Sequence, residues 1–198
     1  MKKLYCFVFS VVVLCLVFSA TALASTKGTE FWYAHVDATL YQTTGETRCY
    51  LYIYSEHPTT VQAYAPTTNW DTTVSALPGL TTLILPRDAI NTGWFVTHGY
   101  GVHITADDSV SIVAHIGNRL IDQNGPSNKE AALLLPVSAL GYEYYVASSR
   151  VIHDFTAYSS TSKLIIVATE DNTEVEITPS DTTVPEYPVG VPFTITLN

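Results

Sequence analysis

Few groups in this 198-residue sequence could support chemistry. They are His103 and His115, the acidic pairs Asp107-Asp108 and Glu170-Asp171, His153-Asp154 with Ser159 and Ser160 nearby, Cys49, and the alternating Tyr50, Tyr52 and Tyr54. Two neighbouring histidines invite zinc, whose ligand atoms must come within about 2.1 Å of the metal. The residues around them argue otherwise. If 102–105 and 110–116 form a hairpin with its loop at 105–109, Val102 and Ile104 line up with Ile112 and Val110, and His103 lies opposite Ser111. His115 is then four residues further along, about 13 Å away at about 3.4 Å per residue. The two rings cannot share an ion, and no metal or cofactor site is predicted.

Paired carboxylates suggest acid–base work or calcium. Both pairs here fall between strand-like runs. Asp and Asn favour turns at such places, because their side chains bond nearby backbone and tolerate the left-handed conformation. Calcium needs about six converging oxygens, and no dense Asp/Asn/Gly loop supplies them. Both pairs are therefore read as turns. A triad built from His153, Asp154 and the nearby serines lacks the strand–Gly-x-Ser-x-Gly–helix setting of a nucleophile elbow. No catalytic residue is predicted, and the chain is not read as an enzyme.

Tyr50, Tyr52 and Tyr54 share one face of a strand, with Leu51 and Ile53 on the other. Exposed, they would stack on sugars or anchor a protein partner. Apolar residues on both faces point instead to a strand buried on both sides. Core packing is the expectation. Cys49 reads as a small buried hydrophobe. Trp70 and Trp94, in or near loops, are the better candidates for exposed aromatic contacts, and the ligand-binding residues are left unknown.

The elements that must carry these groups are strands. The chain is 47% hydrophobic but only 14% charged, low against the usual quarter. Threonine fills the gap, with 27 copies. Such a chain buries too much apolar surface to be disordered. Its net charge of −9 argues against nucleic acid, which needs a basic patch. β-branched and aromatic residues are abundant and amphipathic helical patterns absent, which gives an all-β fold. Strands are expected at 30–36, 48–55, 60–65, 72–76, 81–85, 102–105, 110–116, 142–148, 163–169, 174–178 and 192–197. A polar loop is expected at 117–130 and one turn at 136–141.

The first 24 residues read as a signal peptide. Lys2 and Lys3 precede an apolar run ending near Phe18, and Ala22-Leu23-Ala24 offers a cleavage site. The run is short for a bilayer span. The mature chain is expected to be secreted or at the cell surface, without crossing a membrane. Cleavage leaves Cys49 as the single cysteine, so stability must come from a packed core.

Sliding the chain by 113 positions places Gly28 on Gly141, Glu30 on Glu143, Leu51 on Leu164, Ile53 on Ile166, Thr60 on Thr173 and Pro66 on Pro179. In the same register Tyr52 and Tyr54 fall on Ile165 and Val167, which supports the buried reading of the tyrosines. The expected organisation is two related antiparallel, β-sandwich-like units. The first spans 25–117, a linker loop and short turn follow at 118–140, and the second spans 141–198. The second copy stops early, so the chain is expected to be a fragment or to continue past Asn198.

Four motifs carry a family resemblance. They are Gly28-Thr29-Glu30-Phe31-Trp32, a stretch from Gly101-Val102-His103 to Val110-Ser111-Ile112, Leu133-Leu134-Leu135-Pro136-Val137-Ser138-Ala139-Leu140-Gly141-Tyr142-Glu143-Tyr144, and Ile166-Val167-Ala168-Thr169-Glu170-Asp171-Asn172-Thr173-Glu174-Val175-Glu176-Ile177-Thr178-Pro179. In this order and spacing they resemble the N-terminal domain of the IgGFc-binding protein family, across residues 28–198. Ser109 stands where the family tends to have Pro, and Lys129-Glu130-Ala131-Ala132 replaces a Ser-Asp-Ala-Phe-like lead-in. The resemblance implies a secreted, non-enzymatic, β-rich domain of mucin-like or adhesive proteins. It carries no contact motif onto these positions, so antibody binding is not predicted.

The reading is a non-catalytic extracellular binding or adhesion module that presents sheet and loop surfaces to a protein or glycan. The alternative is a carbohydrate-recognition module of a larger secreted enzyme, marked by a flat strip of exposed aromatics. A hydrolase would need two carboxylates, or a nucleophile and its base, in one cleft.

Overall fold

The computed structural model describes residues 25–34, 46–86, 101–119, 129–147, 164–180 and 187–198. The strands among them are β1 (Gly28–Tyr33), β2 (Glu46–Ser55), β3 (Thr59–Ala65), β4 (Trp70–Ala76), β5 (Gly79–Leu85), β6 (Val102–Arg119), β7 (Lys129–Leu134), β8 (Thr173–Ile177) and β9 (Phe193–Leu197). All pairings are antiparallel. The fold is all-β, as the composition requires.

The organising element is β6. Its first half pairs with β3 on one side and β1 on the other, and its second half pairs with β2 and β7. β4 then extends the first half through β3, and β5 extends the second through β2. The seven strands make one sheet with two four-stranded halves, β1-β6-β3-β4 and β7-β6-β2-β5. Both halves turn their apolar side chains into a single core. Phe31, Leu51, Ile53, Val61, Leu85, Val102, Ile104, Val110 and Ile112 are all buried in it. A strand that passes from one layer to the other at a bend is a known way of making a sandwich corner. Fully burying a side chain of this size contributes about 1.5–3 kcal/mol.

The fold line crosses the sheet at one level. β2 and β3 run along β6 as one strand interrupted at 56–58, opposite Asp107, Asp108 and Ser109. β4 and β5 are interrupted at Leu77-Pro78, and Gly79 turns the corner with φ 104, a conformation that a Cβ disfavours. β1 carries a bulge between Gly28 and Glu30 beside the same bend. Ladder bonds break here, and buried hydroxyls replace them. Ser55 Oγ donates to the Leu77 carbonyl at 2.8 Å, and the Asp108 N–H donates to Thr59 Oγ1 at 2.9 Å. Ser55 and Thr59 are the buried polar side chains among the described residues, and each satisfies a backbone group that the bend would orphan.

Several expectations change. The hairpin at 102–116 does not exist: Val102–Arg119 is one strand, and Asp107-Asp108 lies within it and not in a turn. The physical reason is phase. Even-numbered residues face inward from Val102 through Ile116, with only Asp108 exposed at the bend, and an unbroken period of two suits a continuous strand. Residues 129–134, placed in the linker, supply the seventh strand of the sheet. Among 142–147 and 164–168, where strands were expected, no strand forms. β8 and β9 make a separate two-stranded ribbon. In the 113-position register the inward Val61 and Ala63 fall on the exposed Glu174 and Glu176, so the spacing does not carry the facing of β3 into β8.

Candidate functional site

The two halves of the sheet have chemically opposite outer faces. On the β1-β6-β3-β4 half, the cross-strand rows read Ser75–Thr60, Thr73–Gln62–Thr105–Glu30 and Asp71–Tyr64–His103–Trp32. This surface is polar and internally tied. His103 Nε2 lies 2.9 Å from Glu30 Oε1, and its ring stacks on Trp32 at 4.5 Å. Trp32 Nε1 is buried without a hydrogen-bond partner among the described residues.

The β7-β6-β2-β5 half reads Leu80–Tyr54–Ser111, Thr82–Tyr52–Val113–Leu133 and Ile84–Tyr50–His115–Ala131. The next row of the register, Arg48–Gly117–Lys129, bounds these three with two charged residues, and no charged residue stands within them. Strand alternation explains it: Cys49, Leu51, Ile53 and Ser55 point into the core, which sends the three tyrosines outward. The expectation that Tyr50, Tyr52 and Tyr54 pack in the core is therefore wrong. Tyr54 is 49% exposed, Leu80 67%, Ile84 48% and Leu133 48%. Tyr50 and Tyr52 lie 6.3 Å apart with planes 9° from parallel, and His115 sits 6.0 Å from each. The three ring centres form a triangle, not a column. His115 Nδ1 is buried with no hydrogen-bond partner among the described residues.

The sequence candidates for metal chemistry separate. His103 is engaged by Glu30 and Trp32 on one half, and His115 by Tyr50 and Tyr52 on the other. Among the described residues no three His, Cys, Asp or Glu side chains gather. Asp108 serves the fold line: its Oδ2 lies 3.2 Å from His57 Nδ1, and its Oδ1 accepts from the Ser109 N–H at 2.7 Å. A shallow cleft of about 440 Å³ runs beside it, lined by Pro58, Thr60, Ser75, Leu77, Asp107 and others. Glu170-Asp171 does sit in a turn, closed by Thr173 Oγ1 donating to the Glu170 carbonyl at 2.6 Å. His153, Asp154, Ser159, Ser160 and Trp94 lie outside the described residues. Trp70 is partly buried against the core and does not offer a free ring.

Cys49 is buried and free, and burial pushes its thiol up to about 11. A thiol protonated at neutral pH is a poor nucleophile, so Cys49 is a packing residue. At the rim of the fold line Lys27 pairs with Glu56. The hydrogen bond between them holds the Glu56 carboxyl below its ordinary range and the Lys27 ammonium above its own.

The four sequence motifs meet around β1. A Cβ on Gly28 would lie 2.3 Å from Pro136 Cβ, and one on Gly101 would touch both the Trp32 ring and Val167 Cγ1, at 3.1 and 3.3 Å. Residues 130–198 match the family model described as IgGFc binding protein. The match holds the third and fourth motifs and supports the resemblance that all four carry. No curated protein and no solved structure matches the chain.

Proposed function

We propose that the chain is a non-catalytic extracellular binding or adhesion domain, exported by its first 24 residues, which contacts its partner through the outer face of β7-β6-β2-β5. The carrying observation is the grid of three rows with no charge, in a chain of net charge −9. Large uncharged apolar faces are rare on isolated soluble proteins and mark contact sites. The family match is to a binding family, which supports the same reading. Among the described residues no helix is long and apolar enough to cross a membrane.

A protein partner fits best. Leu80, Ile84 and Leu133 are as exposed as the aromatic Tyr54, and aliphatic side chains bury against protein surfaces better than against sugars. A glycan is the second reading, favoured by the near-parallel Tyr50, Tyr52 and His115 rings, and with it the role of a carbohydrate-recognition module in a larger secreted enzyme. The experiment is a screen of the secreted product against arrayed extracellular proteins and glycans, with sugar release measured in parallel. The reading expects saturable binding without turnover. Hydrolysis of an arrayed glycan, abolished by substitution of acidic residues, would overturn it.

A further inference from the structure

We infer that β5 is a pairing edge for a second copy of this chain, independently of what the outer face binds. Among the described residues of the seven-stranded sheet, four strands, β1, β4, β5 and β7, each have one paired side and one open edge. Proteins blunt open edges with charge, proline or a bulge, because unpaired N–H and C=O groups recruit other strands. Three of the four follow that rule. β1 has a bulge between Gly28 and Glu30, β4 carries the exposed Asp71, and Lys129-Glu130 opens β7. β5 has none of these. Its sequence Gly-Leu-Thr-Thr-Leu-Ile-Leu is uncharged, free of proline and regularly paired to β2 over its whole length.

The occupant follows from symmetry and charge. Laid antiparallel on itself about Thr82, β5 sets Leu80 beside the second copy's Ile84 on the outer face, and Thr81 beside the second copy's Leu83 on the inner one. Apolar and hydroxyl cross-strand pairs of this kind are favourable. No like charges meet, although both copies are strongly acidic. Two-fold pairing uses up the open β5 edge of both copies and closes, whereas an edge of this composition left open is an aggregation hazard. The pairing would join two β7-β6-β2-β5 halves into one sheet with two contiguous uncharged grids, making the module bivalent.

Sedimentation of the secreted protein across the micromolar range tests this. The expected result is a reversible monomer–dimer equilibrium. Thr82→Lys keeps the exposed side chain outside the core but sets two ammonium groups opposite each other, and it is expected to weaken dimerisation by roughly tenfold or more. Thr82→Cys is expected to cross-link copy to copy under oxidation while Tyr52→Ser leaves the dimer intact. A wild-type monomer at every concentration would overturn the inference. So would a dimer that Thr82→Lys leaves unchanged and Thr82→Cys fails to link.

Discussion

Gly28 and Pro136 touch so closely that a single added carbon at position 28 would fall 2.3 Å from Pro136 Cβ. The first residue of β1 and the proline after β7 thus lock together the two strands that share one side of β6. The contact also ties the matched segment 130–198 to the first strand of the sheet. The motif residues Gly28 and Pro136 thus maintain the scaffold, while Ser111 and Leu133, from two of the same motifs, stand on the uncharged face.

Gly28→Ala should therefore destabilise the fold. Pro136 is buried and cannot swing aside, and overpacking of this kind costs about 1–3 kcal/mol. Chemical denaturation midpoints of the two proteins would show it. An unchanged midpoint would mean that the β1–Pro136 contact yields freely.

The two faces of β2 should respond differently. Ile53→Ala empties a fully buried position and should cost about 2–5 kcal/mol. Tyr54→Ser, on the exposed face, should change stability by less than about 1 kcal/mol. Equal losses in thermal melts would return the tyrosines to the core.

At the fold line, Thr59→Val removes the acceptor of the Asp108 N–H while keeping the side chain's shape. An amide left unsatisfied costs about 1–3 kcal/mol. Hydrogen exchange at the Asp108 amide should accelerate with the loss of stability. Slow exchange in the variant would show that another group holds the bend.

The Lys27–Glu56 pair makes a signed pH prediction. Glu56 has its folded value lowered, chiefly by the hydrogen bond from Lys27. Its contribution is complete above the ordinary carboxylate range and is lost as pH falls through the lowered value. Lys27 is raised by the same bond, and its contribution disappears as pH climbs through that raised value. Carboxyl NMR should show Glu56 titrating below ordinary glutamates in the wild type and at their usual position in Lys27→Met. Both groups are exposed, so salt should weaken the effect.

The sequence made the fold class legible through period-two alternation. β3 and β5 lie within two residues of where Thr, Val, Leu and Ile alternation puts them. The continuous β6 was legible too, in the even phase running from Val102 to Ile116, but Ala-Asp-Asp-Ser has the chemistry of a turn and outweighed it. Only pairing shows that these residues meet the gap at 56–58 and form a bend. The tyrosines were misplaced because both faces of β2 are apolar by residue type. The signal that separates them is relative: Cys49, Leu51 and Ile53 carry no polar tip, whereas each tyrosine does, and a strand covered on one side buries the former. The uncharged grid could not be read at all, because it takes rows from four strands far apart in the chain.

The most direct test of the account measures binding to the partner identified on the arrays, for wild type and for two double variants with unchanged melting temperatures. Tyr52→Ser with Leu80→Ser, on the uncharged grid, is expected to weaken binding by roughly tenfold or more. Gln62→Ala with Thr73→Ala, on the polar half, should leave it unaltered. Loss of binding in the second variant and not in the first would contradict it.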